Sequence, residues 1–330
     1  MKWRKTAALT LILLLTGASL AGCMRSAGNP EPTPGPGATG GVAKPEIPSK
    51  LSLEGGVPQL DVYDTGTKDV QSMDIESYVQ GVLAGEMRAD WPMEALKAQA
   101  VLARTFVLKF VSEKESKYKG ADISTDITEA QAYDEGKIND RIIKAVDETR
   151  GEVLSYGGQF PYAWFHAHAG GQTELATKAL DYEGQEPGYT QSIESPDSDR
   201  APDTVKNWTA TFTAEEVGAA AEKAGVKTGA VKTIEIGEKG ESGRAVTFKI
   251  NGNDVSGPAL RIALDPAKLK STLVSEVSVD GGKVTFKGRG YGHGVGMSQW
   301  GAYGLAEQGA KAEDIIMHYF KNVELVKLWD

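Results

Sequence analysis

Residues 74–86 read DIESYVQGVLAGE, and they show the pattern of a capped amphipathic helix. Asp74 is a suitable N-cap because its carboxylate can accept a hydrogen bond from the first turn. Apolar residues then recur at positions 75, 78, 79, 82 and 83, which is the spacing of one helical face. The next position on that face is Glu86. The sequence therefore predicts a core-facing helix that carries a carboxyl group at its C-terminal end.

Two effects would favour the protonated form of Glu86. Removal from water raises the pKa of a carboxyl group, and the dipole at a helix C-terminus disfavours negative charge. A carboxyl that stays protonated near neutral pH can act as a general acid. The alternative is that the helix ends at Gly85 and that Glu86 points into solvent. Periodicity alone leaves both interpretations open.

Other patterns predict a mixed α+β domain in which helices pack on an antiparallel or mixed sheet. A second helix is expected from Pro92 to about Lys114, with Gln99 as a core amide and Arg104 either solvated or ion-paired. Strands are expected at 152–169 and 283–287, a hairpin at 231–236 and 244–250, and helices at 213–224, 298–308 and 313–320.

The N-terminal part of the chain has the pattern of a lipoprotein leader. A basic head precedes an apolar run that ends in Leu-Ala-Gly-Cys23, and Cys23 is the only cysteine. We expect residues 1–23 to be a signal peptide, 24–50 a Pro/Gly-rich linker and 51–330 one catalytic domain. Lipidation at Cys23 would hold the protein on the outer face of the cell membrane. An ordinary secreted protein or a short uncleaved anchor are the alternatives.

The composition excludes several classes of protein. Of the 330 residues, 40% are hydrophobic and 25% charged, which is a globular balance and not a disordered one. The net charge of -9 argues against a nucleic-acid partner, because a surplus of basic residues is missing. A single cysteine allows neither an internal disulfide nor a cysteine-based zinc site.

Residues 288–301 read GRGYGHGVGMSQWG, a glycine-rich strip that suggests close backbone approach to a ligand or to another segment. Tyr291, His293, Gln299 and Trp300 combine ring faces with hydrogen-bonding groups, which is what sugars require. Phosphate-binding and serine-nucleophile motifs do not match. The alternative is a structural glycine loop.

Two further histidines alternate on a predicted strand. His166 and His168 form a His-x-His pair, which can bind metal, but no third ligand has a recognisable spacing. Hydrogen-bonding or substrate-lining roles are therefore favoured.

Three segments together resemble the stage II sporulation protein D family, which also includes amidase-enhancer proteins. They are residues 74–105, residues 164–174 with 192–196 downstream, and residues 288–301. The resemblance runs from about residue 55 to residue 325.

The resemblance implies a single α+β domain that acts as a lytic transglycosylase on peptidoglycan strands stripped of stem peptides, in wall remodelling or sporulation. Glu86 matches the family's catalytic Glu. Some members bind zinc through cysteines near His166, but no Cys follows Cys23 here, so we expect no cofactor. The expected substrate-binding residues are Arg104, His166, Tyr291, His293, Ser298, Gln299 and Trp300.

The same motifs occur in the amidase-enhancer branch of the family. The alternative function is therefore a non-catalytic wall-binding protein that enhances an N-acetylmuramoyl-L-alanine amidase. The expected partners are peptidoglycan glycan strands, the membrane through the lipid anchor, and in the alternative a cell-wall amidase.

Overall fold

The computed structural model describes residues 42–330. The predicted signal peptide, the lipidation site Cys23 and the linker up to residue 41 lie outside the described residues. The predicted α+β class is confirmed by the helices and mainly antiparallel sheets of the described part.

The α-helices are α1 (Ile75–Glu86), α2 (Met93–Glu113), α3 (Asp140–Asp147), α4 (Ala176–Ala179), α5 (Asp203–Lys206), α6 (Ala214–Lys223), α7 (Gly257–Ala263), α8 (Gln299–Glu307) and α9 (Ala312–Tyr319). The strands are β1 (Leu53–Glu54), β2 (Val57–Asp64), β3 (Asp69–Asp74), β4 (Ile123–Ser124), β5 (Glu152–Ser155), β6 (Phe165–His166), β7 (Trp208–Thr213), β8 (Ile234–Ile236), β9 (Thr247–Ile250), β10 (Asn253–Ser256), β11 (Val274–Asp280), β12 (Lys283–Gly288), β13 (Met297–Ser298) and β14 (Glu324–Lys327). A short 3-10 helix covers Glu135–Lys137.

Helix α1 forms as its sequence pattern predicts. Asp74 caps it, accepting a hydrogen bond of 3.0 Å from the backbone N–H of Ser77. The apolar positions 75, 78, 79, 82 and 83 are all fully buried. The helix continues through Glu86 and ends at the extended residue Met87. Glu86 therefore belongs to the last turn of a core helix, and the alternative in which the helix stops at Gly85 is wrong.

Helix α2 is the centre of the first of two hydrophobic cores. It begins after Pro92, as predicted, and it packs against α1, α3, α8, α9 and β5. The second core lies between the sheet β11-β12-β7, the sheet β10-β9-β8 and helices α6 and α7, with Trp208, Phe248 and Phe286 among its buried rings. The folded body thus has two cores, the first built from residues 51–201 and 295–329 and the second from residues 208–286.

Strand β13, inside the glycine-rich strip, pairs in parallel with β6. This pairing requires a very close approach, because a Cβ on Gly296 would overlap the Trp164 carbonyl, and Gly296 has a positive φ of 69°. The N–H of Met297 then donates to the Trp164 carbonyl at 3.0 Å. The strip is thereby fixed against the segment that contains His166.

Two predicted boundaries differ from the structure. Residues 152–169 do not form one strand, because the chain reverses at Gly157 and Gly158, where Tyr156 pairs with Gln159, and only β5 and β6 are extended. The folded body begins before residue 51. Pro45 is buried, and the Ala43 carbonyl accepts a hydrogen bond of 2.6 Å from Ser155.

The other predicted elements are confirmed. The hairpin is β8 paired with β9, the capped helix is α6, and the strand at 283–287 is β12. The last two predicted helices are α8 and α9. Within residues 42–330, every helix is too short or too polar to cross a bilayer.

Candidate active site

The carboxyl group of Glu86 lies where three segments meet. It is half-buried at the end of α1. Its Oε1 accepts a hydrogen bond of 2.8 Å from the backbone N–H of Ala132, in the segment between β4 and α3. Its Oε2 accepts a hydrogen bond of 3.3 Å from the side-chain amide of Gln299, the first residue of α8. The structure therefore brings Glu86 together with the glycine-rich strip, which sequence spacing alone could not establish.

Burial sets the acidity of Glu86. Loss of solvation raises the pKa of its carboxyl from 4.5 to about 7, against the smaller opposing effects of the Ala132 N–H and the Gln299 amide. This upward shift of the pKa agrees with the position of Glu86 on the core-facing side of α1, as helical periodicity predicted. At neutral pH both the protonated and the ionised form are populated, which suits a group that must give a proton and then take one back.

Gly85 makes the contact with Ala132 possible. A Cβ at this position would lie 2.7 Å from the backbone nitrogen of Tyr133 and 2.8 Å from the carbonyl carbon of Ala132. Because Gly85 lacks that atom, the segment comes close enough for the Ala132 N–H to reach Glu86. Sequence reasoning missed Ala132, since any residue type can supply a backbone N–H.

Ser298 positions the helix that carries Gln299. Its hydroxyl caps α8 by accepting from the N–H of Gly301 at 3.2 Å, and it donates to Asp197 at 2.6 Å. Asp197 also accepts from the N–H groups of Gly170 and Gly171. Ser298 has no exposed surface, so the prediction of a direct substrate contact does not fit its place in the structure. Its observed role is structural.

Trp300 forms part of an aromatic group that sequence reasoning did not assemble. Its ring centroid lies 4.4 Å from that of Trp91 and 5.3 Å from that of Tyr303. Trp91 belongs to the loop after Glu86, and Tyr303 is a half-buried residue of α8. Trp91 is 4% and Trp300 8% exposed, so the predicted substrate contact of Trp300 does not fit its burial, and the group packs the loop after Glu86 against α8. The signal that could have found Trp91 is a large aromatic residue in the loop that joins the two core helices.

Tyr291 and His293 lie on a buried part of the strip. Both are 5% exposed, and the backbone of Tyr291 pairs with that of His168. The groups that donate to Glu86 are instead the Ala132 N–H and the Gln299 amide. The predicted role of Tyr291 and His293 in lining a sugar cleft does not fit this burial, because a glycan could reach them only after the strip moved.

His166 and His293 form a pair of neutral rings whose tautomers are set by one residue, Val295. The N–H of Val295 donates to Nδ1 of His293 at 3.0 Å, so Nε2 carries the hydrogen of that ring. The Val295 carbonyl accepts from Nδ1 of His166 at 3.2 Å, so Nε2 is its lone-pair nitrogen. Burial lowers the pKa of His166 well below its usual value and that of His293 to about 3.

The histidines His166, His168 and His293 do not fit the zinc site that some family members are expected to carry. Of the rings of His166 and His293, only that of His166 offers a free lone pair, and it is 1% exposed. Nδ1 of His168 already accepts the N–H of Gly170 at 3.0 Å. The part of the chain described by the structure contains no group of three His, Cys, Asp or Glu residues placed to hold a metal ion. No step of the proposed chemistry is therefore assigned to zinc.

Arg104 lies in the protein core. It has no exposed surface, and its guanidinium pairs with Glu76 of α1 at 2.5 Å and donates to the Glu152 carbonyl at 3.0 Å. Glu76 also accepts from the N–H of Gly151 and the indole of Trp329. This arrangement contradicts a direct substrate contact by Arg104. It ties α1 and α2 to the segment 146–152 and to the end of the chain.

Comparison with known proteins gives two family models that match separate parts of the folded body. A family model described as stage II sporulation protein matches residues 63–156, which contain α1 and α2. A second model, for a domain of unknown function, matches residues 175–296.

The curated relatives cover most of the chain. It is 32% identical over 284 residues to the stage II sporulation protein D of Bacillus amyloliquefaciens, across 81% of this chain and 78% of that protein. It is 31% identical over 303 residues to the protein of the same name from Bacillus subtilis, across 86% and 83%. The amidase enhancer of Bacillus subtilis is 30% identical over 294 residues, which span 75% of this chain and 40% of that protein. Because these sporulation proteins are more than 30% identical to this chain over most of its length and most of their own, the chain belongs to the stage II sporulation protein D family.

Proposed function

We propose that this protein is a lytic transglycosylase that cleaves peptidoglycan glycan strands, with denuded strands as the preferred substrate. The observation that carries the proposal is the single half-buried carboxyl of Glu86, whose pKa is raised to about 7 and which is held by Ala132 and Gln299. Hydrolysis by the usual glycosidase route employs two carboxyl groups. An intramolecular attack by a substrate hydroxyl needs only one.

In the proposed reaction, protonated Glu86 donates its proton to the glycosidic oxygen between N-acetylmuramic acid and N-acetylglucosamine. The bond from C1 of the muramic residue to that oxygen breaks, and the glucosamine leaves with a free hydroxyl. The 2-N-acetyl group can stabilise the electron-poor C1. Ionised Glu86 then takes the proton of the muramic O6 hydroxyl as that oxygen attacks C1. The product is a 1,6-anhydromuramic end, water is not consumed, and Glu86 returns to its protonated form.

The direct test is mass spectrometry of purified denuded strands after incubation with the protein. New 1,6-anhydromuramic ends support the proposal. Ends with a free reducing group, or intact strands, contradict it.

The rate is expected to fall as the pH rises through the pKa of Glu86. The first step requires the protonated carboxyl, so kcat/KM should drop about tenfold per pH unit above a pH of about 7. This fall in kcat/KM is the alkaline limb of the pH profile, and a glutamate with the ordinary pKa of about 4.3 would place it near that pH. Initial rates on denuded strands between pH 5 and 9 measure the limb. A rate that is constant across that range would contradict Glu86 as the general acid.

A second candidate function follows from the similarity to the amidase enhancer of Bacillus subtilis. In that case the protein would bind the wall and raise the activity of a partner amidase without cutting glycans. The two functions separate when digests are made with and without an added N-acetylmuramoyl-L-alanine amidase. Release of stem peptides that increases with this protein present, while glycan chains stay uncut, favours the enhancer.

We further propose that the protein works on the outer face of the cell membrane, held by a lipid on Cys23. The support is the leader pattern of residues 1–23. Replacing Cys23 with Ala is expected to move the protein from the membrane fraction to the medium or to stop processing of the leader. A variant that stays membrane-bound with a processed N-terminus would contradict lipidation.

A further inference from the structure

Gln99 is a wholly buried polar residue of α2 that contacts the proposed catalytic group only through another side chain. It has no exposed surface, and its Oε1 accepts a hydrogen bond of 3.4 Å from the amide nitrogen of Gln299. Its own Nε2 finds no hydrogen-bond partner in residues 42–330. A buried amide with an unused donor is costly, so its presence beside Gln299 calls for an explanation.

The explanation lies in the two hydrogens of the Gln299 amide. Its Nε2 donates to Glu86 at 3.3 Å and to Gln99 at 3.4 Å, which uses both N–H groups. The terminal torsion of a glutamine has two broad minima, related by exchange of its oxygen and nitrogen. The exchanged state would place the Gln299 oxygen against the Gln99 oxygen, two acceptors face to face. With its oxygen directed at Gln299, as in the structure, Gln99 selects the state in which an N–H group of Gln299 faces Glu86.

We propose that Gln99 is a positioning residue that acts through Gln299 to keep an N–H donor aimed at the carboxyl of Glu86. The inference rests on the proposed function. In the transglycosylase cycle, Glu86 is ionised between its two proton transfers, and this donor would stabilise the ionised state. Without Gln99, the Gln299 amide could turn its oxygen toward protonated Glu86, which would favour the protonated form and make Glu86 a weaker acid.

Other titratable groups near Glu86 do not account for such an effect. Tyr78 on α1 and Tyr133 before α3 share its surroundings, and burial raises the pKa of both phenols, so both stay neutral near pH 7. The carboxylate of Glu129 accepts hydrogen bonds from the Ser116 hydroxyl and the Lys117 N–H. From α8 the uncharged amide of Gln299 donates to the carboxyl, and the α2 residue bonded to that amide is the uncharged Gln99.

The test compares Gln99→Met, Gln299→Met and the double variant with the wild type. Two measurements are made, the pH dependence of kcat/KM on denuded strands and the titration of the Glu86 carboxyl carbon by NMR, assigned by its loss in Glu86→Gln. Gln99→Met is expected to raise the pKa of Glu86 and move the alkaline limb upward by about one pH unit, a tenfold change in proton affinity. The double variant should match Gln299→Met alone, because Gln99 acts only through that residue.

Thr105→Val is the matched control. Thr105 is another fully buried polar residue of α2, and its hydroxyl bonds to Val101 and Leu154, away from Glu86. The Thr105→Val variant should lower the midpoint of urea unfolding without moving the alkaline limb of the pH profile of kcat/KM. Gln99→Asn, which withdraws the amide by one methylene, should repeat the shift if Gln99→Met folds poorly.

Two results would overturn the inference. One is an unchanged Glu86 titration in both Gln99 variants, and the other is a further shift when Gln99→Met is added to Gln299→Met. The NMR titration does not need turnover. Failure of the wild type to produce anhydromuramic ends would therefore defeat the proposed function while the positioning of Glu86 is still measured.

Discussion

Replacing Glu86 with Gln is expected to abolish glycan cleavage while the fold is retained. The amide has nearly the same shape, and its oxygen can still accept from the Ala132 N–H that lies 2.8 Å from Oε1. It has no acidic proton to give, so the rate on denuded strands should fall by roughly 10²- to 10⁴-fold, the usual contribution of a general acid. The measurement is the yield of 1,6-anhydromuramic ends by mass spectrometry.

The stability of this variant supplies a second readout. Glu86 has a raised pKa in the folded state, so its favourable contribution is present below its unfolded pKa and is lost as the pH rises through about 7. Glu86→Gln removes this dependence. The wild type should lose stability relative to the variant between pH 5 and 8, as measured by urea unfolding.

Asp90→Asn is the matched carboxylate-to-amide control. Asp90 is exposed and pairs with Arg88 on the surface. The change should leave cleavage and the pH limb as in the wild type, because surface ion pairs contribute little. Unchanged turnover in Glu86→Gln, with the control active, would rule out Glu86 as the acid and show that cleavage depends on another group.

Helical periodicity made Glu86 a candidate because it reports which face of α1 enters the core, and the family resemblance then indicated its catalytic role. The same pattern could not identify its partners. Ala132 acts through its backbone, and Gln299 reaches Glu86 across more than half of the chain. Such contacts depend on how α1, α2 and α8 pack, which local sequence does not encode.

For the glycine-rich strip, the sequence predicted the packing of the backbone but not the position of the side chains. Its composition predicted close backbone approach, and the parallel pairing of β13 with β6 confirms it. The same composition led us to place Tyr291 and His293 in a sugar cleft, yet both lie on a buried part of the strip. A high glycine content predicts that the backbone closely approaches a ligand or another segment. It does not distinguish a polar ring that packs between two segments from one that binds a ligand.

Replacing Arg104 with Met is expected to cost stability and to leave the chemistry of the folded fraction intact. The change removes the partner of a buried carboxylate, and breaking a buried ion pair costs about 3–5 kcal/mol. The N–H of Gly151 at 3.0 Å and the indole of Trp329 at 2.9 Å still hold Glu76, so the lower part of that range is expected. Urea unfolding gives the free energy of unfolding.

The matched control for this prediction is Arg88→Met, which removes an arginine from an exposed ion pair. It should change the free energy of unfolding by less than about 1 kcal/mol.

Activity measurements separate the two roles of Arg104 that the sequence left open, a core ion pair and a substrate contact. If Arg104 is a core residue, Arg104→Met at low temperature keeps the kcat and the pH limb of the wild type once corrected for the folded fraction, because neither Ala132 nor Gln299 has lost its contact with Glu86. A variant as stable as the wild type but unable to cut denuded strands would show instead that the guanidinium leaves Glu76 to meet the substrate, and that the buried pairing is a resting state of the enzyme.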